Sequence, residues 1–272
     1  MNKNVIVAAG IISFFFLTAC GGNQAAEQEE NKVEEKELTE SEELIEEMEL
    51  AHNKAQYALK EVIQFDLNLI FGGKTRFKGR LSMTPNGGLV RLEDSTKTMI
   101  WDGEDAYLFP DTMAYEKTRF DVLTWSYFFA APYKLNDPGA KHEYMGAKNL
   151  NGTAFSALKL SFESGVGDSP DDWYVVYQDQ ESKLLAALAY IVTYGKTTEA
   201  AESDPHAITY EAYTEVDGIP FATQWNFWTW NEKGELNKLL GEAQISNIQF
   251  IKKAEGMFQP PAQSRKAEKP AA

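Results

Sequence analysis

The sequence predicts a mainly β protein of the α+β class, with one antiparallel sheet and an N-terminal helix packed on it. Apolar residues recur every third or fourth position in one early segment, which is the period of a helix. They recur every second position in most of the remaining chain, which is the period of a strand. Asp-Gly and Asn-Gly pairs, which favour tight hairpin turns, separate several of these runs. No internal repeat suggests a second core.

The N-terminal helix is predicted from its first turn and its apolar stripe. Thr39 and Glu42 have the spacing of a capping box. Six apolar residues then share one helical face: Ile45, Met48, Ala51, Ala55, Leu59 and Val62. His52 lies beside this stripe, and we interpret it as a half-buried packing residue rather than a ligand.

Twelve strands are predicted after Val62, where the apolar period changes to two. Asp217-Gly218 closes one hairpin, and most other runs are separated by short polar turns, so the strands should follow one another as a meander. The predicted strands are residues 65–71, 77–83, 89–93, 98–101, 106–109, 144–148, 155–162, 173–178, 184–194, 208–216, 221–230 and 243–250.

One segment, Val122 to Tyr133, interrupts the meander and carries no charged residue. Asp121 favours a helix start through the helix dipole, and Pro132 should stop the helix. Apolar side chains cover both of its faces. A helix that is apolar all round must be covered on most sides, or must face a ligand or a membrane. We therefore predict a short lid helix over the sheet.

The strand 221–230 is rich in aromatic residues on both faces, with Phe221 on one face and Trp228 on the other. Two interpretations are open: an aromatic core, or the wall of a ligand cavity. Five residues from the lid and this strand are the cavity candidates: Trp125, Phe128, Phe129, Trp225 and Phe227.

The first twenty residues have the order of a secretory signal. Lys3 precedes an apolar run that is too short to span a membrane, and the run ends in Leu17-Thr18-Ala19-Cys20. These four residues resemble the lipobox of bacterial lipoproteins. The resemblance implies that residues 1–19 are removed and that Cys20 carries a diacylglycerol anchor. Cys20 is also the only cysteine, so no intramolecular disulfide can form.

The predicted domain, residues 45–257, is flanked by two segments of different composition. Residues 20–44 are rich in glutamate and should form an acidic flexible tether. Two interpretations of this tether are open, because acidic runs after an acylated cysteine also resemble export signals of some surface lipoproteins, whereas a plain spacer fits equally. Residues 258–272 are rich in Pro, Ala and Lys, and we expect a disordered tail.

The charge of the chain limits its partners. Lys and Arg number 26 against 41 Asp and Glu, a formal net charge of −15. Loss of Lys3 with the signal would make this −16. A protein with this negative net charge repels nucleic acid and anionic lipid headgroups. Any membrane attachment should therefore come from acyl chains at Cys20.

The sequence gives no support for an enzyme or a metal protein. Hydrolase, zinc-protease and nucleotide-binding motifs are missing, and His52, His142 and His206 lack metal-ligand spacing. We expect no catalytic residue, no metal and no cofactor. The acidic loop from Gly165 to Asp172 fits either a Ca²⁺ site or a turn. Its Gly, Pro and Ser content and the lack of EF-hand spacing favour the turn.

The order of a helix, a long meander and an apolar helix after the fifth strand resembles the lipoprotein-carrier fold of LolA and LolB. The local resemblance is best at residues 88–92 and 98–110, where Arg91 matches a family arginine by position, and continues at residues 218–221 and 245–250. It covers roughly residues 45–255, and the chain looks like an uncharacterised family of Gram-negative lipoproteins related to that fold. The resemblance implies an open half-barrel with an apolar concave side closed by helices.

Two functions are expected from this combination. The first is a non-enzymatic lipoprotein of the cell envelope, lipid-anchored through Cys20 in the outer membrane and facing the periplasm or the surface. It would bind an acyl chain or another apolar ligand in its half-barrel, and act in lipid or lipoprotein handling. The alternative is an accessory lipoprotein with a self-filled half-barrel that binds a protein partner of unknown identity.

Overall fold

The computed structural model describes residues 37–269, which form four α-helices and one antiparallel sheet of thirteen strands. The signal segment, Cys20 and most of the predicted tether lie outside these residues. The helices are α1 (Glu40–Ala51), α2 (Lys54–Ala58), α3 (Thr118–Ala130) and α4 (Thr198–Glu202). The strands are β1 (Val62–Phe71), β2 (Lys74–Met83), β3 (Val90–Glu93), β4 (Thr98–Trp101), β5 (Ala106–Phe109), β6 (Ala140–Leu150), β7 (Thr153–Phe162), β8 (Tyr174–Gln178), β9 (Leu185–Tyr190), β10 (His206–Val216), β11 (Ile219–Trp230), β12 (Leu236–Ile251) and β13 (Arg265–Ala267).

The sheet is open, as predicted, and its strand order is β13-β5-β4-β3-β2-β1-β12-β11-β10-β9-β8-β7-β6. Most neighbours in the sheet are also neighbours in sequence. The main exception is the pairing of β1 with β12, where Leu67 lies opposite Ile245 and joins two meanders. β5 and β6 lie near opposite ends of the sheet, so the segment that connects them must travel across it. This segment contains α3.

The N-terminal helix begins as predicted but ends earlier. The Thr39 hydroxyl accepts a hydrogen bond from the Glu42 amide at 3.3 Å, and the Glu42 carboxylate accepts from the Thr39 amide at 2.8 Å, which completes the capping box. The prediction of one helix up to Val62 was wrong. Asn53 adopts a left-handed φ of 52° and donates from its side chain to Gly218 O at 3.1 Å. Asparagine tolerates this conformation, and the break separates α1 from α2.

His52, at the C-terminus of α1, is buried rather than half-buried. The Leu185 amide donates to its Nε2 at 3.0 Å, and its ring lies edge-on to Tyr133 and Tyr213, each at 5.8 Å. An imidazole that accepts through Nε2 is neutral. Burial lowers the pKa of His52 from 6.5 to about 3. The side chain therefore serves packing, as the sequence analysis expected.

The twelve predicted strands all form, with shifts of up to four residues at most ends and a start of β12 seven residues earlier than predicted. The tail differs from the expectation of disorder. Within residues 258–272, Arg265–Ala267 form β13 and pair with β5 at the edge of the sheet. Lys266 Nζ lies 2.5 Å from the Asp105 carboxylate beside this pairing. The tail composition concealed this strand because an edge strand of three residues needs little apolar content.

The core has two parts on opposite faces of the sheet. Alternate residues of β7 to β11 point to opposite sides. On one side, residues such as Leu158, Val176 and Ile208 join side chains of α1, α2 and α3 in the main core. On the other side, residues such as Ala157 and Trp230 form a smaller cluster. Among the described residues, each helix is too short or too polar to cross a membrane.

Candidate ligand-binding site

Helix α3 packs on β3, β4 and β5 and forms a lid over part of the sheet, where the sequence predicted one. Its last turn is fixed by contacts with the sheet. The ring of Phe129 stacks on Phe65 at 4.0 Å and on Phe221 at 5.3 Å. The Tyr210 hydroxyl donates to the carbonyl of Phe128 at 2.9 Å. These contacts hold one side of the helix on the core.

Two buried charged residues fix the first turns of α3. Arg119 donates from Nε and from Nη2, the latter at 2.9 Å, to the two carboxylate oxygens of Asp168 in the β7–β8 loop. Asp121 accepts from Arg76 Nη2 of β2 at 2.6 Å and from the Tyr115 hydroxyl. Charge-assisted pairs of this kind are the stronger hydrogen bonds of a protein. They tie the lid to β2 and to the β7–β8 loop.

The β7–β8 loop is the acidic segment that fitted either a Ca²⁺ site or a turn. Burial alone would raise the pKa of Asp168, but the hydrogen bonds and the charges of Arg119 and Lys269 together hold that pKa below its usual value. Asp172 accepts from the amide and hydroxyl of Thr193, both at 2.7 Å. Burial raises the pKa of Asp172 to about 6. Two of the three aspartates of this segment, Asp168 and Asp172, thus have protein partners, which fits the turn interpretation.

A cavity of about 730 Å³ lies between α3, the β7–β8 loop and the sheet. The exposed residues Asn86 and Gly167 also line it, so it reaches the protein surface. Its volume falls in the range of about 300–1,000 Å³ that is typical of ligand pockets. Ten Phe, Tyr and Trp residues of the described chain line it: Phe71, Phe120, Trp125, Tyr127, Phe128, Phe162, Tyr174, Tyr190, Tyr194 and Phe227.

Three of the five predicted cavity residues line this cavity, and two do not. The three that line it are Trp125, Phe128 and Phe227. Their rings contact one another, with pairwise centroid distances of 6.0 to 6.3 Å. Phe129 lies instead in the stack with Phe65 and Phe221. Trp225 is fully buried beside Phe129 and outside the cavity lining. The cavity is therefore lined by Phe120 and residues 123–128 of α3 and by Phe227 near the end of β11.

Arg76 of β2 also lines the cavity and was not predicted from the sequence. Its guanidinium lies 5.5 Å from the ring centroid of Trp125 and 5.9 Å from that of Phe120. Arg76 Nε and Trp125 Nε1 are buried, and neither has a hydrogen-bond partner among the described residues. A buried donor without a partner costs about 1–3 kcal/mol. The alternating pattern of β2 offered no signal that this arginine would face an aromatic cavity.

A larger depression, of about 890 Å³, lies on another part of the sheet. Its lining is mainly polar and charged, and includes Asp66, Asn68 and Arg80. Arg80 and Asp66 pair at 3.0 Å, which satisfies these charges on the surface. This depression suits an apolar ligand less well than the aromatic cavity does. Within residues 37–269, no three His, Cys, Asp or Glu side chains gather as a metal site would require.

Comparisons with known proteins agree with the observed fold. The model of a family of unknown function, DUF6503, matches residues 67–236. A comparison with curated proteins gives no significant match. Among solved structures, the chain is similar to a LolA superfamily protein from Nitrosomonas europaea, with 9% identity and a TM-score of 0.50 over 78% of this chain and 97% of that chain.

Two further solved structures are similar at lower scores. One is an outer membrane lipoprotein-sorting protein domain from Vibrio parahaemolyticus, with 12% identity and a TM-score of 0.49 over 79% of this chain and 97% of that chain. The other is a DUF1329 family protein from Desulfovibrio piger, with 11% identity and a TM-score of 0.44 over 79% and 97% of the two chains. Identities this low concern the fold alone.

Proposed function

The chain belongs to DUF6503, a family of unknown function, and we propose that it is a non-enzymatic lipoprotein that holds an acyl chain in the cavity beneath α3. The observation that carries this proposal is the cavity itself. It is large, reaches the surface and is lined by aromatic rings from both the lid and the sheet. Such a surface favours an apolar ligand through loss of water contact, at about 0.8 kcal/mol for each buried CH₂ group.

The fold supports the proposal without specifying a ligand. An open sheet with a helix across it leaves space that its own side chains must fill or a ligand must occupy. Here the side chains leave about 730 Å³ unfilled. This unfilled space is the reason to prefer a binding protein over the alternative of a self-filled accessory protein that binds a protein partner.

The proposed location is the cell envelope, with the protein anchored by lipid at Cys20. The support is the signal segment and the lipobox-like sequence Leu17-Thr18-Ala19-Cys20. We place the anchor in the outer membrane, and the proposed role is lipid or lipoprotein handling there. A cavity for an acyl chain on a membrane-anchored protein fits that role, since cargo would arrive from or leave to the same membrane surface.

Binding of palmitate tests the proposal. The full chain would carry Cys20→Ser, so that no covalently attached acyl chain competes, and bound palmitate would be counted by native mass spectrometry. We expect one palmitate per chain. Thr124 lines the cavity, so Thr124→Trp should fill part of it and reduce palmitate affinity at least about tenfold.

A matched control distinguishes the two depressions of the protein. Thr223 lines the polar depression, so Thr223→Trp introduces the same side chain there. This variant should bind palmitate as the parent does. If Thr223→Trp blocks binding and Thr124→Trp does not, the acyl chain occupies the polar depression and the proposal is wrong. If the parent binds no palmitate, the accessory-protein alternative becomes the better one.

A further inference from the structure

The cavity beneath α3 contains two buried hydrogen-bond donors that have no partner among the described residues, Arg76 Nε and Trp125 Nε1. Both side chains line the cavity, one from β2 and the other from the lid. Trp125 is only 4% exposed. The guanidinium lies 5.5 Å from the indole ring centroid, so the two donors belong to the same part of the cavity.

The contacts around these donors leave both without an acceptor from the described residues. Asp121 is the carboxylate that pairs with Arg76, and it accepts from Arg76 Nη2 at 2.6 Å and from the Tyr115 hydroxyl, but not from Arg76 Nε. The aromatic rings of Phe120, Phe71 and Phe227 near Trp125 offer no lone pair. Buried polar groups normally have partners, so a missing acceptor at this point is informative.

The chemistry of the two groups specifies what would complete them. The guanidinium and the indole N–H donate and do not accept. A matching ligand must therefore present an acceptor oxygen to them. Because Asp121 already balances the charge of Arg76, a neutral ester carbonyl fits as well as a carboxylate does.

We propose that Arg76 and Trp125 form the head-group end of the acyl-chain site and bind an acceptor oxygen, from an ester carbonyl or a carboxylate, at the end of the chain. This inference rests on the proposed function and adds the ligand's polar group to it. The remaining rings of the cavity would cover the hydrocarbon. An acyl chain with an oxygen at one end then has a defined direction in the cavity.

Three ligands of equal chain length test the inference on the full chain carrying Cys20→Ser. They are palmitate, methyl palmitate and hexadecylamine, mixed in equal amounts below their micellar concentrations and measured by native mass spectrometry. We expect palmitate and methyl palmitate to bind at least tenfold more tightly than hexadecylamine, whose ammonium group offers no acceptor. The net charge of −15 favours the amine, so this order cannot arise from general electrostatics.

Substitutions of single donors provide the second part of the test. Trp125→Phe keeps an aromatic ring and removes only the N–H, and should weaken palmitate and methyl palmitate about tenfold without affecting hexadecylamine. Trp225→Phe is the matched control, because Trp225 Nε1 is also buried without a partner but does not line the cavity. Arg76→Lys, with Arg80→Lys as its control on the same strand, tests the second donor.

The outcomes separate the inference from the proposed function. A larger loss for palmitate than for methyl palmitate in Arg76→Lys identifies a carboxylate, and equal losses identify a carbonyl; both support the inference. Equal binding of all three ligands, or equal effects of Trp125→Phe and Trp225→Phe, overturns it while leaving acyl-chain binding intact. If the parent binds none of the three ligands, the inference and the proposed function both fail.

Discussion

Arg119 on the lid helix and Asp168 in the β7–β8 loop form a two-point ion pair across 49 residues of sequence. Both side chains are nearly buried, with 8% and 13% of their surface exposed. The Arg119 guanidinium also lies 4.8 Å from the ring centroid of Trp101. The pair joins the lid to a loop that lines the cavity, so the stability of the lid and the shape of the cavity depend on the same contact.

Replacement of Arg119 should destabilise the protein. Arg119→Met leaves Asp168 partly buried with only Lys269, at 3.4 Å, as a charged partner. Removal of one partner from a buried pair lowers the free energy of unfolding by about 3–5 kcal/mol. Because Lys269 still partly balances the charge of Asp168, we expect a loss at the lower end, about 3 kcal/mol. Urea denaturation measures this loss. Arg80→Met is the control, because its pair with Asp66 is exposed and should contribute less than about 1 kcal/mol. Equal losses in the two variants would contradict the structural role of Arg119.

Phe128 and Phe129 are neighbours on α3 with similar burial, 4% and 5% exposed, but only Phe128 lines the cavity. Phe129→Ala should lower the free energy of unfolding by about 3–5 kcal/mol, because it leaves a hole in a packed stack. Phe128→Ala should cost less, since one side of that ring already faces open space, and should weaken palmitate binding. Thermal denaturation and native mass spectrometry measure the two effects. A Phe128→Ala protein with a severe loss of stability and unchanged palmitate binding would favour the self-filled alternative.

The stability of the fold should fall in acid because of His52. Its folded pKa of about 3 lies below the unfolded value of 6.5, so below pH 6.5 the unfolded chain binds a proton that the folded protein does not. The free energy of unfolding contributed by His52 then decreases as pH falls from 6.5 to 3, by up to about 1.4 kcal/mol per pH unit.

The test for His52 must allow for Asp172, whose folded pKa of about 6 acts in the opposite direction. Asp172 stabilises the fold at low pH and loses this effect as pH rises from 3.8 through 6. The difference between the parent and His52→Gln isolates the histidine. We expect the parent to lose more stability than the variant when urea denaturation is repeated at pH 7 and pH 5. Parallel losses would show that His52 is not responsible.

Cys20 should determine where the protein is found in the cell. Cys20→Ser removes the thiol to which a diacylglycerol would be attached, and the acyl chains of that group are what would hold such a protein on a bilayer. After cell fractionation, the parent should be in the membrane pellet and the variant in the soluble fraction. A variant that still sediments without aggregation would remove the argument for a lipid anchor.

The turns and strand positions followed from local sequence. Asp217 and Gly218 adopt φ of 53° and 73°, which these residues accept more readily than most others, and Asn151-Gly152 behaves in the same way. Alternation within β11 likewise predicted two faces, and Phe221 lies in the main core whereas Trp230, an even-numbered residue like Trp228, lies in the smaller cluster on the other face. These features depend on a few neighbouring residues, so a single sequence predicts them.

The cavity depended on contacts that no local pattern encodes. The sequence of a helix that is apolar all round does not indicate which of its rings will line a cavity. Only the packing of α3 on the sheet places Phe128 in the cavity lining and Phe129 in the core. By its sequence alone, Arg76 is one charged residue among others in β2. Asp121 and Trp125 contact it only because the segment between β5 and β6 crosses the sheet. Local sequence predicted twelve of the thirteen strands, several turns and a lid helix, because those follow from backbone preference and apolar period. The tertiary structure decided which side chains form the site, because that depends on residues brought together from distant parts of the chain.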